Sequence, residues 1–159
     1  MFGFSKNKSK ELKATQTGEL IEITTLPDPV FAEKMLGDGF AIKPSDGKVY
    51  SPASGTVIDI QDSLHAYGIE TPDGLQLLVH IGINTVDLNG EGFTSHVKKG
   101  DKINAGELLA TADLDFIKSK GYPTETITLI TNLENVKSIK PISPQSVIGG
   151  TTVALVYEK

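Results

Sequence analysis

The chain has 159 residues, of which 38% are hydrophobic and 22% charged, with a formal net charge of −5 and no cysteine. That length supplies one good core and not two ordinary domains, and the composition is neither disordered nor membrane-like. Without cysteine there is no disulfide framework, thiolate metal site or cysteine nucleophile, and the acidic balance excludes nucleic acid as a partner because phosphate neutralisation needs a basic surface. The opening "MFGFSKNKSK" has lysines with no apolar stretch behind them, so it is not a secretory signal, and a cytoplasmic location is the default expectation. Residues 1–15 are polar and aperiodic and predict a flexible tail ahead of a single domain over 16–159. Phe2 and Phe4 bury too little apolar area for stable membrane insertion.

From Gly18 onward short β-rich runs are punctuated by turn signals, in "GELIEITTL", "GFAIKPSDGKVYSPASGTVIDI", "HAYGIETPDGLQLLVHIGI", "TSHVKKGDKINAGELLATA", "TITLITN" and "TVALVYE". The spacing predicts an all-β, antiparallel β-sandwich and not alternating βα units. Helix is sparse. "DPVFAEKMLGDG" offers Asp28 as N-cap, Pro29 as first helical residue and Gly37 as stop, and "DLDFIKSKGYP" offers a second short helix ended by Gly121 and Pro123. "GKVYSPASGTVIDI" and "VKKGDKINAGELLATAD" share a strand, glycine turn, strand style, which suggests a duplicated, interlocked hammerhead-like (barrel-sandwich hybrid) motif. Biotinyl and lipoyl carriers share that style, but the candidate tips here, "TPDG" and "INAGE", lack the lysine that such carriers modify.

The run "LQLLVHIGINTV" places apolar residues at every odd position from Leu75 to Ile83 and a histidine, His80, on the other face. "TPDG" joins it to "HAYGIE" in a β-hairpin with type I turn chemistry. Two registers are open. Pairing Glu70 with Leu75 sets His65 directly opposite His80; a bulge at Gly74 pairs Thr71 with Leu75 and sets His65 against Ile81 on the oily face. Side-chain sizes favour the first, since it puts small residues opposite Leu77 and Val79 and spares His65 an apolar burial without partners. His65, Tyr67, Ile69, Leu78, His80 and Gly82 then share one face. A metal would want more ligands than this pair, and Glu70 faces away; no "GxSxG" elbow supports a hydrolase near Ser63. The remaining use of paired imidazoles is phosphoryl handling, one ring attacking phosphorus and the other donating to its oxygens. His96 has no evident partner.

"FAEKMLGDGFAIKP", "HAYGIE", "LLVHIGINTVDLNGEGF" and "VKKGDKINAGELL" resemble, in order and spacing, the glucose-type enzyme IIA family of the bacterial phosphoenolpyruvate:sugar phosphotransferase system, over about Gly18 to Tyr157. The resemblance implies that His80 is the phosphorylated histidine, that His65 contacts the phosphoryl group, and that Ser63, where relatives usually have threonine, holds the His65 ring. It assigns Asp38 to the arginine of a histidine phosphocarrier protein, the phosphoryl donor, and a cysteine of a IIB domain as the acceptor, with no metal or organic cofactor. Phe40, Ile69 and Leu78 are expected to form a water-excluding docking patch, with Gly82 leaving space beside His80. Asn84 departs from the family's "HFGIDTV" pattern, in which that position is aspartate. A IIA-like regulatory module, signalling sugar status by its phosphorylation, fits the same residues.

Overall fold

The computed structural model describes residues 10–159. Its strands are β1 (Lys10–Lys13), β2 (Gly18–Ile21), β3 (Asp38–Pro44), β4 (Lys48–Tyr50), β5 (Gly55–Ile60), β6 (Ala66–Glu70), β7 (Gln76–Ile81), β8 (Phe93–Ser95), β9 (Lys102–Ile103), β10 (Leu108–Ala112), β11 (Thr126–Ile130), β12 (Ser138–Pro141), β13 (Gln145–Val147) and β14 (Val153–Glu158). Two short α-helices, α1 (Pro29–Ala32) and α2 (Leu114–Ser119), join them. An eight-stranded sheet runs β13-β2-β3-β11-β7-β6-β5-β9, and two three-stranded sheets run β4-β10-β8 and β1-β14-β12. Every pairing is antiparallel, as the turn-punctuated sequence predicts, and the described strands close no barrel. The two hammerhead-like stretches do interlock: β4 of the first pairs with β10 of the second, and β5 with β9.

α1 begins where its capping signals put it, and α2 falls within the stretch expected for a second short helix. Asp28 accepts a hydrogen bond from the Val30 amide at 2.9 Å and Pro29 opens α1, while Asp113 accepts from the Phe116 amide at 3.1 Å. α1 stops at Ala32, before the expected Gly37, because Lys34 already adopts a left-handed φ of 60°. The tail boundary is corrected as well. Residues 10–15 belong to the fold: β1 pairs with β14, and Leu12, Ala14 and Thr15 are fully buried. Phe2 and Phe4 lie outside the described residues.

The register of the β6–β7 hairpin overturns the expected one. Ala66 pairs with His80, Gly68 with Leu78 and Glu70 with Gln76. The Thr71 amide donates to the Leu75 carbonyl at 2.9 Å, and Gly74, at φ 90°, takes the bulge position. The turn decides this: glycine in the left-handed region after a type I turn adds one residue to the loop, and the Thr71 hydroxyl accepts from the Leu75 amide at 3.0 Å. Tyr67 and Ile69 thereby join Leu77, Val79 and Ile81 in the main core. The opposite face of the sheet, Ala41, Ile127 and Leu129, packs against Ile23, Leu26, Phe31 and Ile83 in a second, smaller cluster. His80 stands on this second face, opposite Ile127 of β11.

Candidate functional site

His65 and His80 meet although they are not paired. The Ile81 amide donates to the His65 carbonyl at 2.7 Å, so the backbones obey the bulged register. His65 precedes β6, directly after Leu64 at a left-handed φ of 59°, and the strand's strict face alternation does not extend back to it. The two rings contact edge to face, with centroids 4.8 Å apart and planes at 84°. Phe31 of α1 closes on His80 from another side, with centroids at 5.0 Å. The four-residue helix capped by Asp28 thus carries the aromatic lid of the site.

His80 Nδ1 lies 2.8 Å from the carbonyl oxygen of Gly82. A carbonyl only accepts, so Nδ1 carries the proton and Nε2 keeps its lone pair. Burial first, and then the His65 charge, lower the His80 pKa to about 4, against a smaller upward pull from the Gly82 hydrogen bond and from Asp28. His65 is lowered by burial too. Both rings are therefore neutral at physiological pH, and an unprotonated Nε2 is available for attack. Because the sequence contains no arginine, the chain brings no guanidinium of its own to a phosphoryl group.

Several expected roles are changed by these positions. Ser63 makes no hydrogen bond to His65, whose Nδ1 is buried without a partner among the described residues. Phe40 and Ile69 are completely buried in the main core, so neither offers a docking surface; Phe40 alternates onto the face of β3 turned away from His80, and Ile69 follows the corrected register. Leu78 is half-buried beside the second cluster, on the His80 face. Gly82 is buried and leaves no open spot: at φ 78°, a Cβ there would lie 2.4 Å from Thr85 Cγ2 and 3.0 Å from the Pro123 carbonyl. Its glycine is required by the chain's own packing.

Asp38 pairs across β11 with the level of Leu77, three residues along β7 from His80. It forms an ion pair with Lys34 at 3.4 Å and lines a separate hollow of about 330 Å³ with Glu22 and Pro141. The acid whose charge reaches His80 is instead Asp28. Asn84 is exposed, at φ 63° and ψ 15°, two residues after Gly82. His96 is exposed and does have a partner, with Nε2 at 2.7 Å from the Thr111 hydroxyl. Sequence reasoning missed Phe31, Asp28 and Thr85 as site residues; the first two were legible only as parts of a short helix. Val30, Met35 and Leu36, on and just after that helix, and Val86, six residues after His80, are exposed apolar side chains.

A sequence model of the phosphoenolpyruvate-dependent sugar phosphotransferase system, EIIA 1 family matches residues 10–136. The chain belongs to this family. It is 44% identical over 144 residues to a PTS system glucose-specific EIIA component of Halalkalibacterium halodurans, covering 86% of this chain and 83% of that one. A component of the same name from Staphylococcus aureus is 42% identical over 154 residues, covering 96% and 93%. A glucose-specific EIICBA component of Streptococcus pneumoniae is 46% identical over 151 residues, which is 95% of this chain and 21% of that protein. Among solved structures, glucose permease IIA from Mycoplasma capricolum superposes with a TM-score of 0.89 at 34% identity, covering 98% of this chain and 99% of that one. Family membership implies a phosphotransfer role in the sugar phosphotransferase system, and no described helix is long and apolar enough to cross a membrane.

Proposed function

We propose that His80 is a transient phosphoryl carrier in the cytoplasm, loaded by a histidine phosphocarrier protein and unloaded by a cysteine of a IIB domain. The observation that carries this reading is the Nδ1 contact to the Gly82 carbonyl at 2.8 Å beside the edge-to-face His65 ring. In the first step the Nε2 lone pair of His80 forms a bond to phosphorus while the donor's P–N bond breaks, its electron pair returning to the donor imidazole. In the second, a thiolate of the IIB domain attacks phosphorus and the Nε2–P bond breaks. During both, the Gly82 carbonyl stabilises the positive character that the phosphorylated ring acquires.

His65 acts as the donor to the phosphoryl oxygens. Its unpartnered Nδ1 is accommodated more cheaply as a lone pair than as an orphaned N–H, which leaves Nε2–H as the donating group. Asp28 and the exposed apolar side chains Val30, Met35, Leu36 and Val86 form the rim for a basic partner with an apolar patch, the partner supplying the guanidinium that this chain lacks. The glucose-specific names of the relatives, one of them an EIICBA component, support a IIB acceptor of the glucose type. Incubation with phosphoenolpyruvate, the first enzyme of the system and the phosphocarrier protein should add one acid-labile phosphate per chain, and none to His80→Gln. Uptake by His80→Gln equal to that of the unmodified chain would refute the proposal.

A further inference from the structure

The loop after β7 fixes two successive peptide planes, each at both ends. In the Ile81–Gly82 plane the Ile81 carbonyl accepts from the Thr85 hydroxyl at 2.5 Å and the Gly82 amide donates to the Glu125 carbonyl at 2.9 Å. In the Gly82–Ile83 plane the Gly82 carbonyl accepts from His80 Nδ1 at 2.8 Å and the Ile83 amide donates to the Pro123 carbonyl at 3.2 Å. The carbonyl that selects the His80 tautomer is therefore aimed by the dihedral angles of Gly82, and these are set by the plane that Thr85 holds. Thr85 is fully buried, and its methyl occupies the space where any Cβ at position 82 would stand. Besides His80 itself, its hydroxyl is the one side-chain donor in the arrangement; the other anchors are backbone groups.

We infer that Thr85 is a positioning residue for phosphoryl transfer: by holding the Ile81 carbonyl it aims the Gly82 carbonyl at His80 Nδ1 and so keeps Nε2 free to attack. This rests on His80 being the phosphoryl acceptor. The effect on the tautomer, however, exists in the unphosphorylated protein and can be measured there. A histidine freed of its carbonyl partner has no reason to keep the proton on Nδ1, so losing the anchor should raise the Nε2–H population. One lost hydrogen bond shifts such a ratio by about fivefold.

The test is nitrogen-15 NMR of the His80 ring at neutral pH in the unmodified protein, Thr85→Val and Thr85→Ser, followed by rates of phosphate uptake from the phosphocarrier. Thr85→Val keeps the methyl against Gly82 and removes the donor; it should raise the Nε2–H to Nδ1–H ratio about fivefold and slow uptake, by no more than that factor through the tautomer. Thr85→Ser keeps the hydroxyl and should leave the tautomer as in the unmodified chain. An unchanged tautomer in a folded Thr85→Val overturns the inference. So does a shifted tautomer in Thr85→Ser, which decides the matter even when Thr85→Val fails to fold, since it would assign the effect to methyl packing. Failure of the carrier reading itself looks different: a tautomer that responds to Thr85 while no phosphate reaches His80.

Discussion

Alternate residues of β7 enter two unlike surroundings. Leu77, Val79 and Ile81 point into the main core, which the three sheets enclose, whereas Leu78 and His80 lie on the opposite face under a cover made mainly of Leu26, Phe31 and the 3-10 turn Ile23–Thr25. The first side is closed and apolar. The second is thin enough for a partner to reach one ring and dry enough to keep both imidazoles unprotonated. A strand buried on both faces thus leaves His80 only partly covered, because one cover is a full sheet layer and the other a few side chains of a 3-10 turn and a four-residue helix. Rigidity comes from the first face and access from the second.

That contrast is open to direct attack. The largest expected effect is on the closed side: Ile81→Ala should cost about 2–5 kcal/mol of stability, as large-to-small changes in full cores do. Leu78→Ala, half-buried at the thin cover, should cost distinctly less in the same urea titration. Equal losses would mean that the two covers are energetically alike.

Acid should expose the thin side next. A His80 pKa near 4 in the folded chain against about 6.5 unfolded means that the unfolded state takes up a proton that the native ring refuses. Stability is therefore full above pH 6.5 and declines as pH falls to 4, by roughly 3 kcal/mol from this group, with the lowered His65 acting in the same direction. Urea unfolding from pH 7.5 to 4.5 should show this slope, and His80→Gln should flatten it. An unchanged slope in the variant would place the proton uptake elsewhere.

Within the site, His65→Ala should still accept phosphate but slow transfer by about 10²-fold, the usual cost of one donor to a transition-state oxyanion. Rapid-quench transfer rates check this, and an unaltered rate would remove His65 from the phosphoryl contacts. The smallest effect belongs to the rim. Asn84→Asp adds a negative charge two residues beyond Gly82, so it should raise the association rate with a basic phosphocarrier several-fold at low salt and hardly at all at high salt. A rate indifferent to the substitution at every ionic strength would put position 84 outside the contact.

The sequence made the closed side easy to read and the open side hard. Alternation from Leu75 to Ile81 marks the core face, with Ile83 turning to the second cluster after Gly82, and Asp28 and Pro29 mark the start of α1, because each rests on local chemistry that few tertiary contacts override. The hairpin register was open between two choices that differ by one residue. Side-chain sizes favour the wrong one, because it sets the small Gly68 and Ala66 opposite Leu77 and Val79, whereas the Gly74 bulge turns Tyr67 and Ile69 to the core. The histidines meet regardless, since His65 lies just outside the regular strand. Asp38 and Asp28 are both aspartates near one short helix, and only the packing of that helix over β7 brings Asp28's charge to His80, while the register of β3 leaves Asp38 at Leu77's level. Gly82 looked like space for a partner; Thr85, three residues on, fills it.

In the proposed transfer His80 offers Nε2 while its Nδ1 is held by the Gly82 carbonyl. The most direct measurement is phosphorus–nitrogen coupling in the phosphorylated, nitrogen-15-labelled protein, read on the imidazole nitrogens of both histidines. A single phosphorus–nitrogen coupling is expected, to Nε2 of His80, with Nδ1 still protonated. Coupling to Nδ1 of His80, or to either nitrogen of His65, would contradict it.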